Sequence, residues 1–541
     1  MFEIQMIKTL SLCFEFLSFE FWSCFGFRIS CFGFAFSNYV SPAKLELQTS
    51  SCYHGPINMV KRETEIAKKA PPPPELPKYK EVDASEVSFF GITNYRAQLE
   101  EKRFVFGIKR EDRRRHVYII GKSGSGKTKL LELLIRADLW YNQGLCVIDP
   151  HGDLINVILD AIPEHRIKDT ILVDPSDLNF PLSFNPLANV KNDEKYHVAQ
   201  GLIEVMKKQF GANWGPRLEH VFRFICLAML DYPRATMNGM ISLLSDRTYR
   251  QDVIKYIQDD MVKRFWAIEF ADWSERFDNE AITPLLNKLS QFLSNPLVRN
   301  IFAQVENKLD FEEIMNTQKI LLLNLSKGKL GEENANFFGS MFITKIHQAG
   351  MARAALPEEK RLDFYLYVDE FQNFMTNTFA NLFSESRKYG ICLCVAHQYI
   401  GQLTGEIKTT VLGNTGTIII FRVGGDDSAQ LVSEMTPIFS AQDMINLGVR
   451  EFYIKMLIDG QSYDPFSAQT LPMYAPEYAS SRKAIIDYNR ATYATPLEKV
   501  KEEYKKATDP LRYETKKSAS DETKKTPPEK GKEDAYQEPL I

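Results

Sequence analysis

Cysteine is scarce in this sequence: eight in 541 residues, scattered, none at zinc-ligand spacing. That argues against a structural zinc site and a disulfide framework, and leaves reduced thiols of a cytosolic protein. Positive charge is not in excess either. The formal net charge is −4, so any surface for nucleic acid would have to be local. A long unbroken apolar run is also missing. The start is rich in phenylalanine, with ten of the 37 among the first 36 residues, but Glu15, Glu20 and Arg28 interrupt it. Each would cost roughly 2.5–3.5 kcal/mol at mid-bilayer, where a span needs about 20 apolar residues. A signal peptide's basic n-region and short apolar core are not evident.

What is there divides into segments. Residues 24–37 read CFGFRIS and then CFGFAFS, a worn tandem repeat. This favours reading 1–58 as translated repetitive DNA upstream of a start at Met59, with a membrane anchor as the competing reading. Residues 59–86 carry Pro71 to Pro74 and PELPKYK, a proline-rich linker of extended character. Ordered structure is expected from about Val87. Residues 87–187 and 319–475 alternate short apolar runs with amphipathic helices: HVYII, LCVID, ILVDP, KILLLNL, FYLYVDE, ICLCVAH, TIIIFRV and EFYIKML. That rhythm predicts an α/β domain with a mainly parallel sheet covered on both faces. Within 188–318 the period is helical and no strand is evident, which predicts an inserted all-α domain. Residues 476–541 are charged and poor in large apolar groups, which predicts a disordered tail.

The chemistry begins at Gly121-Lys122-Ser123-Gly124-Ser125-Gly126-Lys127-Thr128, a G-x-x-x-x-G-K-[ST] loop between a strand and a helix. Its glycines allow a tight turn whose N–H groups face phosphate, and the helix N-terminus adds positive potential. Lys127 is assigned to the β- and γ-phosphates and Thr128 to Mg²⁺. YLYV then ends in Asp369 and Glu370 at a strand's carboxyl end. Asp369 is the expected magnesium partner through water, and Glu370 the group that polarises the attacking water. The alternative is that one carboxylate caps the next helix. Without a guanine-reading N-K-x-D, ATP is favoured over GTP.

Further residues have two readings each. Gln398 ends the strand ICLCVAHQ, as a γ-phosphate sensor or a surface glutamine; His397 is a neighbour of the site. Arg387, in SESRKYG, could act in trans on another subunit's nucleotide, or only serve a helix C-terminus; Arg422 is the other candidate. Asp149, with His151 and Asp153, either orders the site or begins a turn. Lys207, Lys208, Phe210, Trp214 and Arg217 form a candidate grip for single-stranded nucleic acid, against an amphipathic helix pair with a solvated loop. Arg113, Arg114 and Arg115 read as solvent-facing, with a subunit-interface role as the alternative.

GKSGSGKT, CVIDPHGDL, ILVDPSD with FNPLA, YLYVDEFQNF, SESRKYG and CVAHQYIGQL together resemble the HerA/FtsK superfamily of ring ATPases, nearest to TraG-like coupling proteins of type IV secretion and conjugation. The similarity runs from about Phe89 to Pro472. It implies a RecA-like P-loop NTPase core, a homohexamer with ATP and Mg²⁺ between subunits, and DNA in a central channel. It implies that Lys127, Glu370, Gln398 and Arg387 are the catalytic set. It also implies a cytoplasmic motor, at the inner face of the membrane where a secretion complex recruits it. The sequence lacks the usual pair of amino-terminal membrane helices and a full HerA barrel domain. The expectation is a DNA-translocating ATPase. The alternatives are an assembly or secretion ATPase acting on protein, and a nucleotide-gated switch.

Overall fold

The computed structural model describes residues 67–95, 103–272, 282–474, 476 and 478–508. The reading of 1–58 and the start at Met59 lie outside them.

Runs of β-branched and aromatic residues form the strands: β1 (Val87–Thr93), β2 (Val105–Lys109), β3 (Val117–Ile120), β4 (Gly144–Asp149), β5 (Thr170–Val173), β6 (Ile320–Asn324), β7 (Phe364–Val368), β8 (Ile391–His397), β9 (Thr417–Ile420), β10 (Glu451–Lys455) and β11 (Phe466–Thr470). They form one sheet in the order β2-β1-β11-β10-β9-β3-β8-β7-β4-β6-β5. From β9 to β5 every neighbouring pair is parallel. EFYIKML, expected to join that block, is β10, which pairs antiparallel with both β9 and β11. Its apolar composition specifies a buried strand but not its direction.

The parallel strands are buried on both faces, and their side chains alternate. Val117 and Ile119 pack with Leu130, Leu131 and Leu134 of α1 (Lys127–Trp140), beside α2 (Asp153–Ala161). Tyr118 and Ile120 point to the other face, into the core that includes the helical insertion.

Between β5 and β6 the described residues contain helices and no strand, as expected. Among these are α3 (Lys195–Phe210) and α4 (Pro216–Asp231). Thr236, Asp246, Asp259, Asn295 and Asp310 each accept from a backbone N–H at the start of a helix, the polar caps that orphan amides require. The insertion shares its core with the sheet through α5 (Glu332–Ala352). There α3 approaches closely, and a Cβ at Gly201 would come within 2.5 Å of Thr344.

Two expectations change. The proline-rich segment is not a free linker over its described part. Ala70 N–H donates to Ser467 Oγ at 3.0 Å, the Tyr453 hydroxyl donates to the Lys68 carbonyl at 2.8 Å, and Ala67, Ala70 and Leu76 are buried. Proline leaves few N–H groups to satisfy, so an extended strap can lie along the sheet with few bonds. The tail also continues as structure. With α6 at Asn377–Glu385, the described residues beyond β11 hold α7 (Arg482–Thr492) and α8 (Leu497–Thr508). Asn489 of α7 accepts from Leu172 N–H and donates to the Thr170 carbonyl, both at 2.8 Å. One buried amide and Ile485 anchor a helix whose composition is otherwise that of a surface. Among the described residues no helix is long and apolar enough to cross a membrane.

Candidate nucleotide site

The phosphate loop follows β3 and opens α1, as its sequence predicts. Gly124 and Gly126 sit at φ 73° and 127°, where a side chain would be strained, and a Cβ at Gly121 would lie 2.5 Å from Phe421. Two bonds fix the loop to neighbouring strand ends: Gly121 N–H to the His397 carbonyl at 3.3 Å, and Lys122 N–H to the Arg422 carbonyl at 2.8 Å. Lys127 Nζ donates to the Gly121 carbonyl at 2.6 Å. Burial lowers its pKa, while Glu370 and Asp369 pull it back up. Ser125 Oγ is buried with no partner inside the loop.

β7 delivers the carboxylates. Thr128 Oγ1 lies 3.4 Å from Asp369 Oδ2. Burial, then the Glu370 and Asp149 charges, push the Asp369 pKa up to about 6. A bound cation would reverse that local balance. The hydroxyl and carboxylate are hard oxygen donors on the loop's own edge, so the residues fit Mg²⁺, which takes one or two protein oxygens and keeps several waters. Among the described residues no larger His, Cys, Asp and Glu cluster is placed to hold a metal.

Glu370 is in the left-handed region, φ 47° and ψ 48°, at a cost of about 1–3 kcal/mol for a residue with a Cβ. Its carboxylate is held at both oxygens: Gln398 Nε2 donates to Oε1 and Gln372 Nε2 to Oε2, each at 2.8 Å. Glu370 stands at the N-cap position of the short helical turn Phe371–Phe374, but its side chain makes no capping bond there, and Asp369 Oδ1 accepts from the Glu370 N–H at 3.0 Å. Gln372 is a functional residue that the motif VDEFQNF does not single out. The signal in the sequence is the pair of amides, Gln372 and Asn373, one residue beyond the two carboxylates.

Burial and then Lys127 lower the His397 pKa to about 3, and its Nε2 meets the Tyr118 hydroxyl at 2.5 Å. It is a neighbour of the site, as expected. Asp149 begins the turn: its carboxylate accepts from His151 N–H at 2.8 Å and Ile155 N–H at 3.1 Å, at the start of α2.

A family model for the type IV secretion-system coupling protein DNA-binding domain matches residues 105–443. The chain belongs to this family. Among solved structures it is similar to the unbound bacterial conjugative coupling protein TrwBdeltaN70, at 13% identity over 69% of this chain and 88% of that one, TM-score 0.50. Plasmid coupling protein TrwB in complexes with GDPNP, with ADPNP, and with ADP and Mg²⁺ gives 13–14% identity over 69% and 89%, TM-score 0.50. A comparison with curated proteins finds no match.

In this coupling-protein fold the two candidate arginines occupy opposite edges of the sheet. Arg422 follows β9, and its carbonyl holds the chain's own phosphate loop. Arg387 is exposed in the turn Ser386–Tyr389 that precedes β8. It lines a cavity of about 450 Å³ with Arg114, Arg115, Phe383, Asn414 and Lys455. Nearby His116, at the amino end of β3, has its pKa lowered to about 4 by burial and by the Arg387 charge. The length of β3, roughly 13 Å at 3.3 Å per residue, separates that edge from the loop. Arg387 therefore stands at the opposite end of the parallel strands from its own phosphate loop.

Two basic residues differ from expectation. Arg113 is buried, not solvent-facing: it donates to Asp138 Oδ1 of α1 at 2.7 Å and to the Tyr367 hydroxyl of β7 at 2.6 Å, with its guanidinium 3.9 Å from the Tyr365 ring centre. Burial opposes its charge, yet Asp138 and the two tyrosines hold its pKa well above the usual value. Lys208 turns inward to the carbonyl of Asn373. Arg114 is exposed, as expected, and pairs with Asp363. Trp214 packs on Phe210 at 5.2 Å and donates to Glu219, so its ring is engaged within the insertion.

Proposed function

We propose that this chain is an ATP-hydrolysing motor that moves DNA, a coupling protein that feeds a type IV secretion or conjugation machine from the cytoplasmic face of the membrane. Carrying this reading is the placement of Thr128, Asp369 and Glu370 around one phosphate loop, 3.4 Å apart for the first two, within a chain of the coupling-protein family.

In this reading the loop amides and Ser125 Oγ bind the phosphates, and Lys127 leaves the Gly121 carbonyl for the β- and γ-oxygens. Thr128 and Asp369 would hold Mg²⁺, which supplies charge neutralisation on the transferring phosphoryl group. Glu370, fixed by Gln372 and Gln398, orients and deprotonates the attacking water. Gln398 joins the base to the strand end beside the loop. Arg387 completes the site of a neighbouring copy, which makes a ring of identical subunits, in the resemblance a homohexamer, the working unit. DNA contacts are to backbone phosphate and need not read bases.

The test is hydrolysis of ATP and of GTP by purified protein, with and without single- and double-stranded DNA, across a salt series. DNA stimulation that falls steeply with salt supports the reading. Lys127→Ala should abolish binding and turnover. Hydrolysis indifferent to either DNA would overturn the DNA motor in favour of a protein-directed one.

A further inference from the structure

A residue with a Cβ holds the backbone conformation of Glu370 only where its surroundings impose it. Asn373 does so here. Its backbone N–H and its side-chain Nδ2 both donate to the Glu370 carbonyl, at 3.1 and 2.9 Å. The two acceptors that remain on Asn373 are each taken by a lysine. Lys327, in the turn after β6, donates to Oδ1 at 3.1 Å and also meets Glu332 at 3.1 Å. Lys208 donates to the backbone carbonyl.

The two lysines come from different parts of the molecule. Lys327 belongs to the carboxyl edge of the sheet, where its N–H is tied to the Pro150 carbonyl at 3.0 Å. Lys208 belongs to the helical insertion and stands in the last turn of α3, two residues before the helix ends at Phe210. Beyond it lies the exposed loop 211–213, and then Trp214, packed on Phe210. Lys207, next to it, is exposed. Lys208 has no ion-pair partner among the described residues. Burial and the nearby Lys327 charge lower its pKa to about 7. A half-buried cation held by one neutral carbonyl is a poor stabilising element. Its placement makes sense if the carbonyl it holds matters.

We propose that Lys208 is a positioning residue for Glu370: it transmits the state of the helical insertion, set at the loop 211–215, to the catalytic glutamate through Asn373. Whatever presses on that loop acts on the end of α3. The end of α3 holds Asn373, and Asn373 fixes the backbone from which Glu370 projects. This rests on the ATPase reading above, and it makes the insertion a regulator of turnover and not only a cap.

The test uses the full chain with Lys208→Met and Lys208→Arg. Steady-state ATP hydrolysis is measured with and without DNA, and amide hydrogen exchange is followed at residues 370–374. Lys208→Met should lower kcat about tenfold, equivalent to about 1.4 kcal/mol in the barrier. KM should stay within about twofold. Exchange at the Asn373 amide should quicken, and any DNA stimulation should be lost. Lys208→Arg should recover most of kcat. If Lys208→Met does not fold, Lys208→Gln carries the same comparison with a shorter donor. Wild-type kcat with unchanged exchange would overturn the proposal. So would a parallel loss of kcat, nucleotide affinity and thermal stability that arginine does not rescue. If the wild type splits no ATP, the ATPase reading fails, and exchange alone decides: unchanged protection of Asn373 in Lys208→Met overturns the contact's role.

Discussion

Gln398 and Gln372 grip opposite oxygens of one carboxylate, that of Glu370. If Glu370 is the general base proposed above, this grip sets its orientation before the reacting water arrives, which is where positioned proton transfer gains its efficiency. Glu370→Gln should lower kcat about 10²- to 10⁴-fold while labelled ATP still binds. Gln398→Ala should lower kcat with little change in KM, because it loosens the base without touching the phosphate loop. Wild-type turnover in Glu370→Gln would remove Glu370 from the mechanism.

Arg387 on the far edge of the sheet leads to a mixing experiment. Arg387→Ala subunits mixed with Glu370→Gln subunits, each impaired alone, should recover part of the ATP hydrolysis, since a Glu370→Gln neighbour supplies the arginine to the otherwise intact site of an Arg387→Ala subunit. Arg422→Ala, on the loop's own edge, should not be rescued by the same mixing. No recovery with Arg387→Ala would remove Arg387 as a residue acting in trans.

Beneath the site, Asp138 of the phosphate-loop helix accepts from Arg110 and Arg113 at 2.7 Å each and from Tyr367 at 2.5 Å. Breaking a buried pair by removing one partner costs about 3–5 kcal/mol. Arg113→Met should fall near the lower end, because Arg110 remains, and should appear as a drop in thermal midpoint. Arg113→Met combined with Asp138→Leu should recover part of that loss. An unchanged midpoint in the single variant would show that the ion pair contributes nothing.

Lys345 of α5 donates to the Pro186 carbonyl at 2.9 Å, and burial lowers its pKa to about 8 against the opposing Glu194 charge. In the unfolded chain it keeps its proton to about 10.4. Between about pH 8 and 10.4 the unfolded state therefore binds more protons at this site, and this contribution to stability rises with pH. Comparing thermal midpoints of wild type and Lys345→Met, wild type should gain on the variant as pH climbs from 8 to 10. A constant difference would show that Lys345 is not perturbed.

The part of the site carried by contiguous motifs was legible in the sequence. Glycines at positive φ, an apolar strand ending in carboxylates and a strand tipped by glutamine each have a local physical cause. The same holds for the helical insertion, whose period is unbroken by any strand. Contacts between distant segments were not legible. Arg113 looks like one of three basic surface residues until α1 supplies Asp138 and β7 supplies Tyr367, at 25 and 254 positions' remove. Lys208 looks like part of a basic surface until α3 brings it to Asn373, 165 residues on. The direction of β10 depends on its neighbours in the sheet and not on its own composition. The strap before Val87 and helix α7 were hidden for another reason: each is fastened by a few polar bonds and small side chains, which average composition does not register.

The side chain of Asn489 stands where the backbone of a twelfth strand would be. By donating to Thr170 and accepting from Leu172 it occupies hydrogen-bonding groups that an exposed outermost strand would offer to any passing chain. A version of the protein cut between β11 and α7 would lose this cover and should cling to itself in solution, even with every residue of the proposed nucleotide site in place.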